Sequence, residues 1–149
     1  MDSTHFALDA FLTIKGIQRS DGEDNVVELM TCGKLYRRNG VFYLSYDETE
    51  LTGYSGSKTL LKIESNNKVT MTRSGNANAQ LIIERGRRHQ CIYDTGFGSM
   101  TIGVSGDNIR TELDEKGGII DFSYSMDMNT VLTSENRVII TVKESAVQC

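Results

Sequence analysis

Alternation with a period of two residues runs through almost the whole chain, and it decides the fold class. Ile120, Phe122, Tyr124 and Met126 take one parity, while Asp121, Ser123, Ser125 and Asp127 take the other. Successive side chains of a strand point to opposite faces, so this segment reads as a strand with one buried face. The 3.6-residue periodicity of an amphipathic helix is almost absent.

Shorter runs of the same kind follow one another along the chain. Leu12 and Ile14 lie in a first run that ends near Gly16, and Asp21-Gly22-Glu23-Asp24 turns the chain into a second run from Val27 to Tyr36. Asn39-Gly40 is the strongest hairpin signal, because both residues tolerate positive φ. It leads into Phe42, Leu44 and Tyr46. Thr59-Leu61-Ile63, Val69-Met71-Arg73, Leu81-Ile83 and His89-Cys91-Tyr93 come next. Met100-Ile102-Val104 is bounded by Gly106-Asp107-Asn108, Ile109-Thr111-Leu113 by Gly117-Gly118, and Val138-Ile140-Val142 closes the series. Roughly ten short strands with regularly spaced turns point to a sandwich or a barrel. Nearly every connection reads as a short hairpin, and an up-and-down meander of this length closes on itself and removes its edges. The expectation is an all-β chain, a single antiparallel up-and-down calycin-like (lipocalin-type) β-barrel over residues 1–149. A Greek-key sandwich is the alternative.

Composition excludes several function classes. At 149 residues and 38% apolar content, the chain can bury one core and is too apolar to be disordered. A net charge of −4 argues against a nucleic-acid partner held by phosphate neutralisation. It also argues against an anionic membrane surface. Cys32, Cys91 and Cys149 are odd in number and contain no C-x-x-C pair, so neither a zinc site nor a disulfide framework is expected. No cofactor is expected either. The start Met1-Asp2-Ser3-Thr4-His5 lacks the positive charge and apolar run of a secretory signal, which favours the cytoplasm.

The polar residues on the inward parity carry the functional reading. Phe42, Leu44 and Tyr46 continue in register to Glu48 and, if the strand extends, to Glu50; Val69 and Met71 continue to Arg73; His89 shares a face with Tyr93. Tyr46, Glu48, Glu50, Arg73, His89 and Tyr93 are therefore the candidate ligand-binding residues. An unpaired charge in a lumen is costly, so Arg73 is expected to pair with Glu48 or Glu50. The same residues also fit a structural ion pair or a solvated rim at the barrel mouth. No catalytic residue is assigned. His89 and Cys91 point in parallel without a third orienting group. The glycines around Phe97 and Gly103 precede no helix, as a phosphate loop would require. His5 and His89 are too far apart in sequence to suggest a metal site.

Several segments also resemble the YwiB-like family of small bacterial proteins. They are Leu44-Ser45-Tyr46-Asp47-Glu48-Thr49-Glu50-Leu51-Thr52-Gly53 onward through Gly56, Val69-Thr70-Met71-Thr72-Arg73-Ser74-Gly75, and Tyr93-Asp94-Thr95-Gly96-Phe97-Gly98. Gly86, His89, Ile102-Gly103-Val104, Gly117-Gly118 and Val131-Leu132-Thr133-Ser134-Glu135-Asn136 extend the resemblance. It covers most of the chain after about residue 25. It implies a calycin-like barrel in a bacterial cytoplasm and no defined reaction. The chain departs from that pattern at Gly96, where family members usually carry proline. The absence of tryptophan also removes the G-x-W signature of secreted lipocalins.

Three functional readings follow. The leading one is a barrel that binds a small, partly apolar ligand with an acidic group. The second is a structural or protein-interaction module whose barrel is filled by its own side chains, as small barrels can be. The third is an enzyme using Glu48 or Glu50 beside His89 as acid and base. A monomer or a homodimer fits all three.

Overall fold

The computed structural model describes residues 6–49, 56–76, 78–94 and 98–145. They form ten antiparallel strands: β1 (Phe6–Ser20), β2 (Glu23–Arg38), β3 (Val41–Asp47), β4 (Ser57–Ile63), β5 (Lys68–Gly75), β6 (Asn78–Glu84), β7 (Arg88–Asp94), β8 (Ser99–Asp114), β9 (Gly117–Met128) and β10 (Val131–Glu144). Each strand pairs with its sequence neighbours, and β1 pairs with β10 to close the barrel. The expected up-and-down barrel is the fold.

The turns explain why the chain reverses where it does. Asp21-Gly22 and Asn39-Gly40 both take positive φ at two consecutive positions, the geometry that matches strand twist in a two-residue hairpin. Asn129-Thr130 does the same with a β-branched residue at φ 68°. That conformation is held in part by the Thr130 N–H donating to Asp127 Oδ1 at 3.2 Å.

Two strand boundaries differ from the alternation reading. β1 continues past Gly16 to Ser20, because β2 and β10 pair with it residue by residue as far as Arg19. Gly106-Asp107-Asn108 is a bulge inside β8, with the register against β9 shifting between Gly106 and Ile109. A bulge inserts residues without ending the strand, so two expected strands are one. The cysteine reading also needs correcting. Cys32 is disulfide-bonded, while Cys91 is a free, buried thiol.

The inward parity fills the lower half of the barrel, the end that carries the Asn39-Gly40 turn. Leu12, Leu35, Leu44, Leu61, Ile120, Phe122 and Ile140 are fully buried there. Each such side chain contributes about 1.5–3 kcal/mol by leaving water. At the very bottom the Arg37 guanidinium lies over the rings of Phe6 and Phe42, at 5.3 and 5.1 Å from their centroids. Arg37 also reaches Glu115 at 3.7 Å. This cation–π stack closes the lower end.

One seam is held by side chains. Among the described residues, the β6–β7 ladder pairs only Asn78 with Asp94 and Ala79 with Tyr93. Below it the Ile82 N–H donates to Cys91 Sγ at 3.5 Å, and His89 Nε2 meets Glu84 Oε1 at 2.9 Å. Gly106 of β8 then approaches the Glu84 backbone so closely that any Cβ would overlap it.

Candidate functional site

The upper half of the barrel is hollow. At the end that carries the β1–β2 and β9–β10 turns, inward side chains surround a cavity of about 470 Å³. Its floor and aliphatic wall come from Ile14, Val27, Leu29, Leu81, Ile102 and Val138. Met71, Met100, Met126 and Met128 also line it, with Tyr46, Tyr93 and Tyr124. Thioethers and aromatic rings make an adaptable apolar surface. Gln18, Asn25 and Asn136 add neutral polar groups.

Gly16 is the reason for much of the space. It sits on the inward parity of β1, opposite Val27 on β2 and Val138 on β10. A Cβ built there would meet nothing within 4 Å. Most other inward positions of β1 carry a side chain that fills its layer.

Among the described residues, Glu48 and Arg73 form an inward-facing charged couple, and Arg137 of β10 also reaches the cavity lining. Glu48 extends the inward parity of β3 just past the strand end, with its side chain 3% exposed. Arg73 lies near the upper end of β5, 11% exposed, and its Nη2 stands 3.5 Å from Glu48 Oε1. The expected pairing of Arg73 with Glu48 is present. Thr59 of β4, fully buried between them in the strand order, donates its hydroxyl to the same Glu48 oxygen at 2.5 Å. Burial, reinforced by the Glu48 charge and opposed by Arg73, raises the Tyr46 hydroxyl far above its usual pKa. Tyr46 is therefore a neutral donor at every physiological pH.

The structure brings together four of the six sequence candidates: Tyr46, Glu48, Arg73 and Tyr93. Glu50 lies outside the described residues. His89 has the right parity but the wrong height. It sits at the lower end of β7, outside the cavity lining, and bonds to Glu84. The acid–base couple of Glu48 with His89 is therefore not assembled. Gly16, Gln18, Asn25, Tyr124 and Asn136 are cavity residues that were not singled out. Their signal was the same parity: Gly16 and Gln18 continue Ile14, Asn136 precedes Val138, and Tyr124 follows Phe122. Among the described residues, no three His, Cys, Asp or Glu side chains converge as a metal site would need.

Comparison with known proteins settles kinship at this point. The family described as "Domain of unknown function (DUF1934)" matches residues 12–140. The chain belongs to the DUF1934 family. It is 31% identical over 115 residues to the uncharacterized beta-barrel protein YwiB of Bacillus subtilis (strain 168), covering 77% of this chain and 79% of that one. The crystal structure of ywiB protein from Bacillus subtilis superposes with a TM-score of 0.84 at 26% identity, over 96% of both chains. The YwiB-like resemblance read from the sequence is thus confirmed, and with it the barrel. The matched DUF1934 region begins at Leu12 and ends at Ile140, so it contains every described residue of the Glu48–Thr59–Arg73 cluster.

Proposed function

We propose that this DUF1934 barrel binds one small, partly apolar molecule, its body in the upper lumen and an acidic group against Arg73. The observation that carries this reading is the cavity itself. Its volume of about 470 Å³ falls in the range of roughly 300–1,000 Å³ usual for ligand pockets. An apolar lining with a few converging polar groups is also the usual pattern of such sites.

The Glu48–Arg73 couple supports the choice of head group. Burying two charges costs several kcal/mol per ion before their attraction is counted, and an apolar pair would fill the same wall more cheaply. A carboxylate and a planar guanidinium are complementary in shape and charge, so an acidic head group that reaches Arg73 would be held by charge-assisted bonds. The Tyr46 hydroxyl, hydrogen-bonded to Thr59, adds a neutral polar group to the same wall. A barrel filled entirely by its own side chains describes the lower half well and the upper half poorly.

The test is titration with 1-anilinonaphthalene-8-sulfonate, a probe with an apolar body and one acidic group. Saturable 1:1 fluorescence enhancement is expected, weakened at least about tenfold in Gly16→Leu and in Arg73→Met. Native mass spectrometry beside the denatured mass would show any molecule that copurifies. A wild-type barrel that takes no probe, or a Gly16→Leu variant that binds it equally well, would overturn the reading.

A further inference from the structure

The outer wall of the barrel carries a second cleft of about 630 Å³, which shares Arg137 with the lumen lining. It lies where β8, β9 and β10 face the β4–β5 turn and the end of β6. Arg85, Arg110 and Arg137 all line it, in a chain whose net charge is −4. The carboxylate in the lining is Asp121.

Arg85, Asn66 and Arg137 are each held in place by bonds that leave donors over. Gly106 of β8 is still bridged to Arg85 and bonds through its backbone to Gly86 and Arg87, and below it side chains reach the β8 edge. Arg85 Nη2 donates to the Ile109 carbonyl at 2.5 Å, which uses one of five guanidinium N–H groups. Asn66 accepts from both the Thr111 N–H and the Thr111 hydroxyl through Oδ1, each at 2.7 Å. Two donors on one oxygen fix the amide orientation, so the Asn66 NH₂ end is turned away from Thr111. Arg137 grips Asp121 through two nitrogens at 3.0 and 2.8 Å. Arg110 sits directly opposite Asp121 in the β8–β9 register.

We propose that this cleft binds the phosphoryl end of a small phosphorylated molecule. The charge count selects the class. Within the lining Asp121 offsets one of the three guanidinium groups and two positive charges remain, with Asp107 beside the lining through its contact with Ser123; a monocarboxylate would balance only one of the two. A phosphoryl group brings about −1.5 to −2 charges and three acceptor oxygens, enough to engage Arg85, Arg110 and the Asn66 amide together. Bidentate arginine contacts to such oxygens are the strong kind of charge-assisted bond. The cleft volume exceeds what a bare phosphate fills, which leaves room for the group it is esterified to.

The experiment is isothermal titration of the full chain with inorganic pyrophosphate at 0.15 M salt. One saturable site is expected, and Arg110→Ala weakens it at least about tenfold with an unchanged melting temperature, because Arg110 is exposed. Arg19→Ala removes the same charge at the open end, where Arg19 faces Asp24, and is expected to leave binding unchanged. Absence of binding at millimolar pyrophosphate would overturn the proposal. Equal losses in Arg19→Ala and Arg110→Ala would overturn it too, since only a diffuse field would remain. Tighter binding of a 20-nucleotide single-stranded DNA than of pyrophosphate would replace it with a nucleic-acid surface. Displacement of the lumen probe by pyrophosphate would instead mean that the anion enters the barrel.

Discussion

Arg88 of β7 and Asp127 of β9 meet across the intervening strand β8, through two bonds of 2.9 and 2.7 Å. The pair lies flat on the outer wall because the residue beneath it is Gly103. Gly103 is paired with Gln90 on one side and Asp127 on the other, and a Cβ there would run into both the guanidinium and the carboxylate. Gly103→Ala is therefore expected to displace the pair, whose flexible side-chain ends give way to the added carbon. The loss is read as a lower midpoint in urea unfolding. An unchanged midpoint would show that the pair yields without loss.

Acid stability follows from the same carboxylate and two others. Hydrogen bonding from Arg88 holds the Asp127 carboxyl below its ordinary range. Arg137 does the same for Asp121, and His89 for Glu84. A depressed folded-state pKa contributes stability above the unfolded value, about 4 for these groups, and loses it as pH falls through the folded value. Thermal melts should thus fall steeply below about pH 4. In Asp127→Asn the difference from wild type should be largest at pH 7 and shrink toward pH 2. A difference independent of pH would assign the effect to packing.

Thr59→Val tests the support of Glu48. The substitution keeps the shape of a fully buried side chain and deletes the hydroxyl that donates to the carboxylate. Hydrogen bonds to charged groups contribute about 1.5–3 kcal/mol, and a loss of that size is expected in equilibrium unfolding. Probe affinity should also fall, because Glu48 and Arg73 lose their fixed separation. Stability equal to wild type would mean that Glu48 finds another donor in the lumen.

The alternation of apolar and polar residues made the barrel legible, and with it the face of nearly every side chain. It told which way Glu48 and Arg73 point, and their contact follows. Height along the barrel axis is a different quantity. It depends on register summed over several hairpins, and so His89 has the right face but sits near the floor, bonded to Glu84. The Arg88–Asp127 pair needs the register of three strands at once, and no local pattern encodes that. Gly106-Asp107-Asn108 has turn composition, yet β9 keeps pairing on both sides of it, so tertiary pairing overrides the local signal. A lumen was expected, but which layer of it is empty was not legible, for a simpler reason. Empty space is signalled by a missing side chain, and Gly16 reads in sequence as a strand end.

Gly16 gives the cleanest separation of stability from binding. Its backbone is in an ordinary extended conformation and a Cβ meets nothing within 4 Å, so side chains are admitted without strain. Replacing glycine at such a site removes unfolded-state freedom, and Gly16→Ala should raise stability by about 0.4–1 kcal/mol. Gly16→Leu should be at least as stable, since the added carbons pack against Val27 and Val138 from the paired strands. The same carbons occupy the volume that a ligand body needs, so probe binding should fall while the melting temperature holds or rises. A destabilised Gly16→Leu barrel would mean that the lumen is narrower than its walls indicate. A stable variant with undiminished binding would move the ligand site out of the barrel altogether.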